Sequence, residues 1–345
     1  MNKFKEKEWF IGGDLSKATI DYSICAHKEG KVIADKRFSN DVKGFEAMLA
    51  WLKKISIDPD RSVFCFEHTG NYGLLIFSWL AAQEIDYAVE PALQIKRSIG
   101  MTRGKNDSID ARRIAQYAFT HKDRLEAYEF PAKELLGIKQ QLTYRDQLIR
   151  QRTGLKNSLK AHLLYEQVLE TDDVSRQIAS RINELTSAIE QIELKVQAMI
   201  QQQESLRKNF QLACSVKGIG LIIAAHMLIS SHNFKCFNDG RKYACYAGIA
   251  PFEHSSGKHI GGTRVSALAN KRMKSLISNG ANTAIRCDPE LKRYYQRKRA
   301  QGKDHKLVIN SVCCKLVNRV MAVVKRGTPF VSSYANSFGQ VLSMS

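Results

Sequence analysis

WFIGGDLSKATIDYSICAHKEGKVIADKRFSN, residues 9–40, is the stretch that decides the fold. WFIGGDLS is an apolar run that reaches a carboxylate, Asp14, near its end, and it reads as a strand. TIDYSICAH alternates apolar and polar residues and reads as a second strand. KEG supplies the turn into a third, KVIADKRFSN. Downstream, the period changes. DVKGFEAMLAWLKKI, residues 41–55, has helical spacing at Phe45, Met48, Leu49 and Leu52, with Asn40 or Asp41 as the N-cap. SVFCFEHTG reads as a buried strand ending at Glu67, YGLLIFSWLAAQE as a helix and DYAVEP as a fifth strand, and another helix begins near Asp107. Three strands joined by tight turns, followed by alternating helices and strands, predict a mixed α/β sheet flanked by helices over residues 8–125.

Residues 131–210 lose strand character. Ile178, Ile182, Leu185, Ile189, Ile192, Val196 and Met199 recur at alternating steps of four and three, the seam of a coiled coil. A helix through Leu135, Ile138, Leu142 and Ile149 is a candidate antiparallel partner. A hairpin within one chain and a dimerisation arm both satisfy this spacing. Residues 211–330 are mainly helical again, interrupted by the Gly-rich VKGIG and HSSGKHIGG, and residues 331–345 form a polar tail.

Over the 345 residues, 44% are apolar and 25% charged, ordinary for a globular protein. The N-terminus lacks a basic-then-apolar signal, and no run reaches the ~18 apolar residues of a membrane span. Eight cysteines without a CxxC pair suggest a reduced, cytoplasmic protein. The formal charge of +19 is concentrated: residues 213–345 carry 21 Lys and Arg against 5 Asp and Glu. An excess of that size on one third of the chain points to phosphate backbone as the partner. Within it, VKGIG resembles a helix-hairpin-helix turn, in which Lys217, Gly218 and Gly220 would meet phosphate through charge and exposed backbone N–H groups. LKRYYQRKRAQGKDHK, residues 291–306, adds Arg293 and Arg297, with Tyr294 and Tyr295 placed to stack on bases.

Four carboxylates carry the chemistry. Asp14 and Glu67 stand at strand ends, and Asp107 and Asp110 share a helix face three residues apart. If the first and fourth strands are neighbours, all four converge at one end of the sheet. Carboxylates packed together raise one another's pKa, and two Mg²⁺ or Mn²⁺ ions relieve that repulsion while clamping the oxygens of an in-line phosphoryl transfer. Nearby Lys105 would hold the anionic substrate. Taken alone, Asp107 also suits a helix N-terminus, and Asp110 also suits a surface pair with Arg113. Asp21, Asp35, Asp86 and Glu90 read as structural.

GGDLSK around Asp14, FEHTGNYG around Glu67 and GKNDSIDARRIAQYA resemble the four-acid pattern of the DEDD transposases of bacterial insertion sequences, the one-hundred-ten family. VKGIGLIIAAHMLI, FNDGRKYACYAGIAPFEHSSGKHIGG and KRMKSLISNGANTAI resemble that family's C-terminal domain, so the likeness spans residues 8–330. It implies a RuvC-like, ribonuclease-H-like N-terminal domain that binds two divalent metals through Asp14, Glu67, Asp107 and Asp110. It also implies a serine that attacks DNA and becomes covalently linked to it. By motif position that serine is Ser256, with Ser255 as its rival in the doublet. Lys258, His259 and Arg264 would steady the phosphate beside it, and Lys271 and Arg272 are further candidates for nucleic-acid contact. The family works as homodimers that assemble into tetramers, and is guided by a structured non-coding (bridge) RNA that pairs with target and donor DNA. Two other readings stand beside this one: a metal-dependent junction resolvase or nuclease with water as nucleophile, and a nucleic-acid-binding protein without chemistry.

Overall fold

The structure, a computed structural model, describes residues 4–27, 30–68, 70–99, 107–237, 239–250, 252–256, 259–266 and 268–331; for residues 99, 107, 108, 252–256 and 259–264 it describes the backbone alone. The chain divides between Phe130 and Pro131 into two units.

The first unit contains β1 (Trp9–Leu15), β2 (Thr19–Ala26), β3 (Val32–Ser39), α1 (Val42–Lys54), β4 (Ser62–Glu67), α2 (Leu74–Ala82), β5 (Tyr87–Glu90), α3 (Ala92–Ile99) and α4 (Asp107–Thr120). The sheet order is β3-β2-β1-β4-β5. β1, β2 and β3 are antiparallel; β4 and β5 run parallel to β1. This is the mixed sheet the alternation predicts, with the first and fourth strands adjacent.

Alternation along each strand sorts the side chains into two layers. Ile20, Tyr22, Ile24, Phe64 and Phe66 pack with Phe45, Met48 and Leu52 of α1 and Ile76 and Leu80 of α2. Phe10, Cys25, Val63, Cys65 and Ala88 pack on the other face with Ile114, Ala115 and Ala118 of α4. Of the two candidate caps it is Asp41 that closes α1, accepting from the Gly44 N–H at 2.8 Å. Helix α3 is an addition: the sequence reading passes from the fifth strand straight to the helix at Asp107.

The second unit contains α5 (Lys133–Leu169), α6 (Asp173–Gln202), α7 (Glu204–Cys214), α8 (Leu221–Ser230), α9 (Gly240–Tyr246), β6 (Phe252–Ser256), β7 (His259–Arg264), α10 (Lys271–Cys287), α11 (Pro289–Ala300) and α12 (His305–Arg326). Helices α5 and α6 form a long antiparallel hairpin. Arg145 donates to Glu193 at 2.7 Å and Arg152 to Thr186 at 3.2 Å, so the partners ascend one helix as they descend the other. Leu135, Ile138 and Leu142 share one core with Ile189, Ile192 and Val196 and with the helices that follow. At the far end of the hairpin Leu164, Tyr165, Val168 and Leu169 are exposed.

One expectation needs correction. Helix α12 is long and apolar enough to cross a membrane, although the sequence reading found no such stretch. Its apolar length has a local cause, because Ile309, Val312, Leu316, Val317 and Val320 are core residues of this unit.

His226 on α8 is largely buried, and its Nε2 has no hydrogen-bond partner among the described residues. Burial pushes the imidazole down to about 4, against the pull of Asp146 and with a contribution from Arg272 and Arg145. An unfolded histidine titrates near ~6.5. The unfolded chain therefore binds the proton first, and stability is full above that value and is lost as pH falls toward 4. Substituting His226→Leu should flatten the decline of the helical unit's melting midpoint between these pH values, followed by far-UV circular dichroism. An unchanged slope would assign the acid limb to other groups.

Candidate active site

The site is built at the C-terminal ends of three parallel strands. Gly13 of β1 pairs with Phe66 of β4, so Asp14 and Glu67 follow one step further along the two strands. Glu67 in turn pairs with Glu90 of β5. Asp14, Glu67 and Glu90 share the parity of Gly12, Cys65 and Ala88, which places all three on the α4 face of the sheet.

The approach of α4 depends on Gly12. A Cβ built on Gly12 would lie 2.3 Å from the Ala115 nitrogen and 2.4 Å from the Ala111 carbonyl oxygen. Strand and helix backbones are thus in direct contact, and the contact sits one turn beyond Asp110. Asp107 opens the helix; its side chain lies outside the described residues. Asp110 is half-buried and accepts from Arg113 Nη1 at 2.8 Å.

Glu67 is half-buried, and no basic side chain lies in ion-pair reach of it among the described residues. Burial pushes its carboxyl above the usual glutamate range, and the negative charge of Asp110 adds to the shift. The acids left as structural divide into two groups. Asp21 is held by Arg37 at 2.9 Å, Asp35 by Arg112, and Asp86 by Lys7 at 2.9 Å. Glu90 is different. Burial raises its pKa, and the Tyr117 hydroxyl of α4, donating at 3.2 Å, works against that shift. Burial and Glu90 together push the Tyr117 hydroxyl up to about 12. The sequence reading left Glu90 structural; the structure sets it at the end of β5, beside Glu67.

Among the described residues, no group of three or more His, Cys, Asp or Glu side chains forms a ready metal cage. The donor set nevertheless fits a hard divalent cation. The acids offer only carboxylate oxygens, and Glu67 and Asp110 repel each other in a partly dehydrated setting that a cation would relieve.

In the second unit, Ser255 and Ser256 close β6, paired with Ile260 and His259 of β7. The Gly-rich interruption is therefore a two-stranded ribbon and not a loop between helices. The side chains of Ser255, Ser256 and Arg264 lie outside the described residues, as do Lys258 and, in the first unit, Lys105. Lys217, Gly218 and Gly220 form the turn from α7 into α8 and line a cavity of about 470 Å³ with Asn279 and Thr283 of α10. Gly218 has φ +98°, and a Cβ there would lie 2.5 Å from the Gly280 carbonyl oxygen, so this glycine is required by the helix packing itself. Lys271, Arg272, Arg293 and Arg297 are exposed on α10 and α11. Arg272 is engaged by Asp146 of α5. Tyr294 and Tyr295 are half-buried: Lys315 sits over the Tyr294 ring at 4.7 Å, and the Tyr295 hydroxyl meets His305 at 2.8 Å. These rings are engaged within the unit, which weakens the reading of them as base-stacking platforms.

Comparison with known proteins defines the class: the chain is a DNA transposase. Residues 11–168 match the family profile of the DEDD transposases of IS110 type, and residues 210–296 match that of the Transposase IS116/IS110/IS902 family. The chain belongs to this family of insertion-sequence transposases. It is 25% identical over 333 residues to the pilin gene-inverting protein of Moraxella bovis, covering 93% of this chain and 97% of that protein. It is 30% identical over 118 residues to an uncharacterised 43.6 kDa protein of insertion element IS110 from Streptomyces coelicolor, covering 34% of this chain and 29% of that one. Among solved structures it is similar to T. thermophilus RuvC in complex with a Holliday junction substrate, at 10% identity and a TM-score of 0.27, covering 35% of this chain and 99% of that one.

Proposed function

We propose that this transposase cleaves and exchanges DNA strands through a covalent phosphoserine, using a divalent-metal site made by Asp14, Glu67, Asp107 and Asp110. The observation that carries the metal site is the register of β1 with β4, which sets Asp14 and Glu67 at adjacent strand ends on the face that α4 packs against; the negative charge of Asp110 adds to the rise in the Glu67 pKa. Mg²⁺ or Mn²⁺, two ions by the family's pattern, would supply Lewis-acid polarisation of the scissile phosphate. Asp14 and Glu67 would hold their side from rigid strand ends, and Asp107 and Asp110 theirs from the first turn of α4.

Ser256, with Ser255 as the alternative, would attack phosphorus through its hydroxyl oxygen. A serine–phosphorus ester forms, the bond from phosphorus to the departing strand breaks, and the serine proton leaves by way of solvent to the released strand end. The phosphodiester energy is conserved in the ester, so the second transfer needs no nucleotide cofactor. Lys217, Gly218, Gly220, Lys258, Arg264, Lys271, Arg272, Arg293, Arg297 and Lys105 would contact nucleic-acid phosphates. The partners would be element and target DNA, a structured guide RNA and further copies of the chain, as a dimer that assembles into a tetramer; the apolar tip of the α5–α6 hairpin is a surface such an assembly could cover. A relative named for inverting a pilin gene, aligned over nearly its whole length, supports recombination over simple nuclease activity.

Adduct trapping tests the proposal. Protein purified with its co-expressed nucleic acid is mixed with labelled element-junction DNA and Mn²⁺, then denatured. The expected result is a protein–DNA adduct, abolished by Ser256→Ala and by Asp107→Ala and spared by Ser255→Ala. Loss on Ser255→Ala alone would move the nucleophile by one residue. Cleavage without adduct would replace the serine by water and leave a resolvase-type nuclease.

A further inference from the structure

The inference concerns Arg113 and rests on the metal-site reading above. Arg113 lies one turn after Asp110 on α4, and its Nη1 donates to Asp110 Oδ1 at 2.8 Å. Surface pairs at this spacing contribute little, but this one is not on the surface: the side chains are 20% and 32% exposed. The guanidinium therefore sets a positive charge against one acid of the proposed metal site.

A guanidinium and a divalent cation are alternatives here. A bound Mg²⁺ needs carboxylate oxygens at about 2.0–2.1 Å in near-octahedral geometry. Whether the cation takes Oδ1 or Oδ2, it would stand a few ångströms from the guanidinium in a partly dehydrated setting, and that repulsion sets the two in competition. To give way to the cation, the guanidinium moves aside on its flexible side chain. We propose that Arg113 is a resident counter-ion of the active site: it holds Asp110 until a divalent cation displaces it, and so it is a positioning residue that sets the metal affinity. Once displaced, the guanidinium stays tethered one helical turn away, with the donor geometry to take a phosphate oxygen of the bound nucleic acid.

The test is a Mn²⁺ titration of the full-length protein, with free Mn²⁺ counted by electron paramagnetic resonance. Arg113→Gln should bind Mn²⁺ about tenfold more tightly than wild type, because no cation has to be displaced. Arg113→Lys, which keeps a charge but loses the fork, should fall between the two. Glu67→Gln should bind more weakly than wild type. A further readout separates this role from a merely structural one: the rise in melting temperature caused by Mn²⁺ should be larger in Arg113→Gln than in wild type. Equal or weaker binding by both Arg113 variants, with Glu67→Gln still impaired, would overturn the counter-ion role and leave the metal site standing. Absence of Mn²⁺ binding in wild type and in both Arg113 variants would remove the metal site and this inference together.

Discussion

Glu67→Gln should lower DNA cleavage by about 10³-fold or more, in a protein whose first unit should be more stable than wild type at neutral pH. The two halves of this expectation have one cause. The folded Glu67 carboxyl is raised by burial and by Asp110, whereas an unfolded glutamate titrates near ~4.3. Between those two values the folded chain binds the proton that the unfolded chain has lost, so stability falls as pH rises through the window. Glutamine occupies the same space without the charge and escapes the penalty. The stability difference should therefore be absent below about pH 4, open as pH climbs, and be complete once pH passes the folded value. Urea unfolding followed by tryptophan fluorescence reads it selectively, because Trp9, Trp51 and Trp79, the chain's three tryptophans, all belong to the first unit. A variant that cleaves normally would take Glu67 out of the chemistry. A variant that unfolds at lower urea would mean that the carboxylate stabilises the fold instead of straining it.

Gly12→Ala should destabilise the first unit by about 3 kcal/mol, at the upper end of what a single added methyl costs in a packed interior. The added Cβ meets the Ala115 nitrogen and the Ala111 carbonyl oxygen of α4. Both are main-chain atoms, so no rotamer change relieves the clash, and either β1 bends or the helix backs away. Because α4 carries Asp107 and Asp110, the same displacement should remove cleavage. Glu67→Gln keeps the fold and loses the chemistry; Gly12→Ala loses both together. Urea midpoints from tryptophan fluorescence, set beside cleavage of labelled junction DNA, separate them. A stable and active Gly12→Ala protein would show that this strand–helix contact does not seat the acids.

Much of this was legible from residue order. Period-two alternation in TIDYSICAH gave a strand whose odd and even residues enter different cores, and a period near 3.5 in residues 178–199 gave the α6 seam. Both signals are local, and both survive because burial reinforces them. What failed to show in the sequence was relational. Glu90 looked like one more strand-end acid until the pairing of β4 with β5 set it beside Glu67, and Tyr117 could not be joined to it without knowing how α4 crosses the sheet. Gly12 and Gly13 were two residues of a strand; only packing shows that the first admits a helix backbone. The ribbon at Phe252–Arg264 was hidden by its glycines and serines, which carry little strand propensity and read as a loop. The apolar length of α12 went uncounted for the opposite reason: charged residues dispersed along it break up a pattern whose length becomes plain only when the helix is seen whole.

The α5–α6 hairpin has a consequence in base pairs. Helix α5 runs for 37 residues, which at 1.5 Å per residue is about 55 Å. B-form duplex rises 3.4 Å per base pair, so the helix measures about 16 base pairs, or one and a half turns of DNA. A molecule that grips the exposed apolar end of this arm is held that far from the helices that anchor its base. In an assembly joined at this tip, the arm would set the spacing of two DNA sites on that scale.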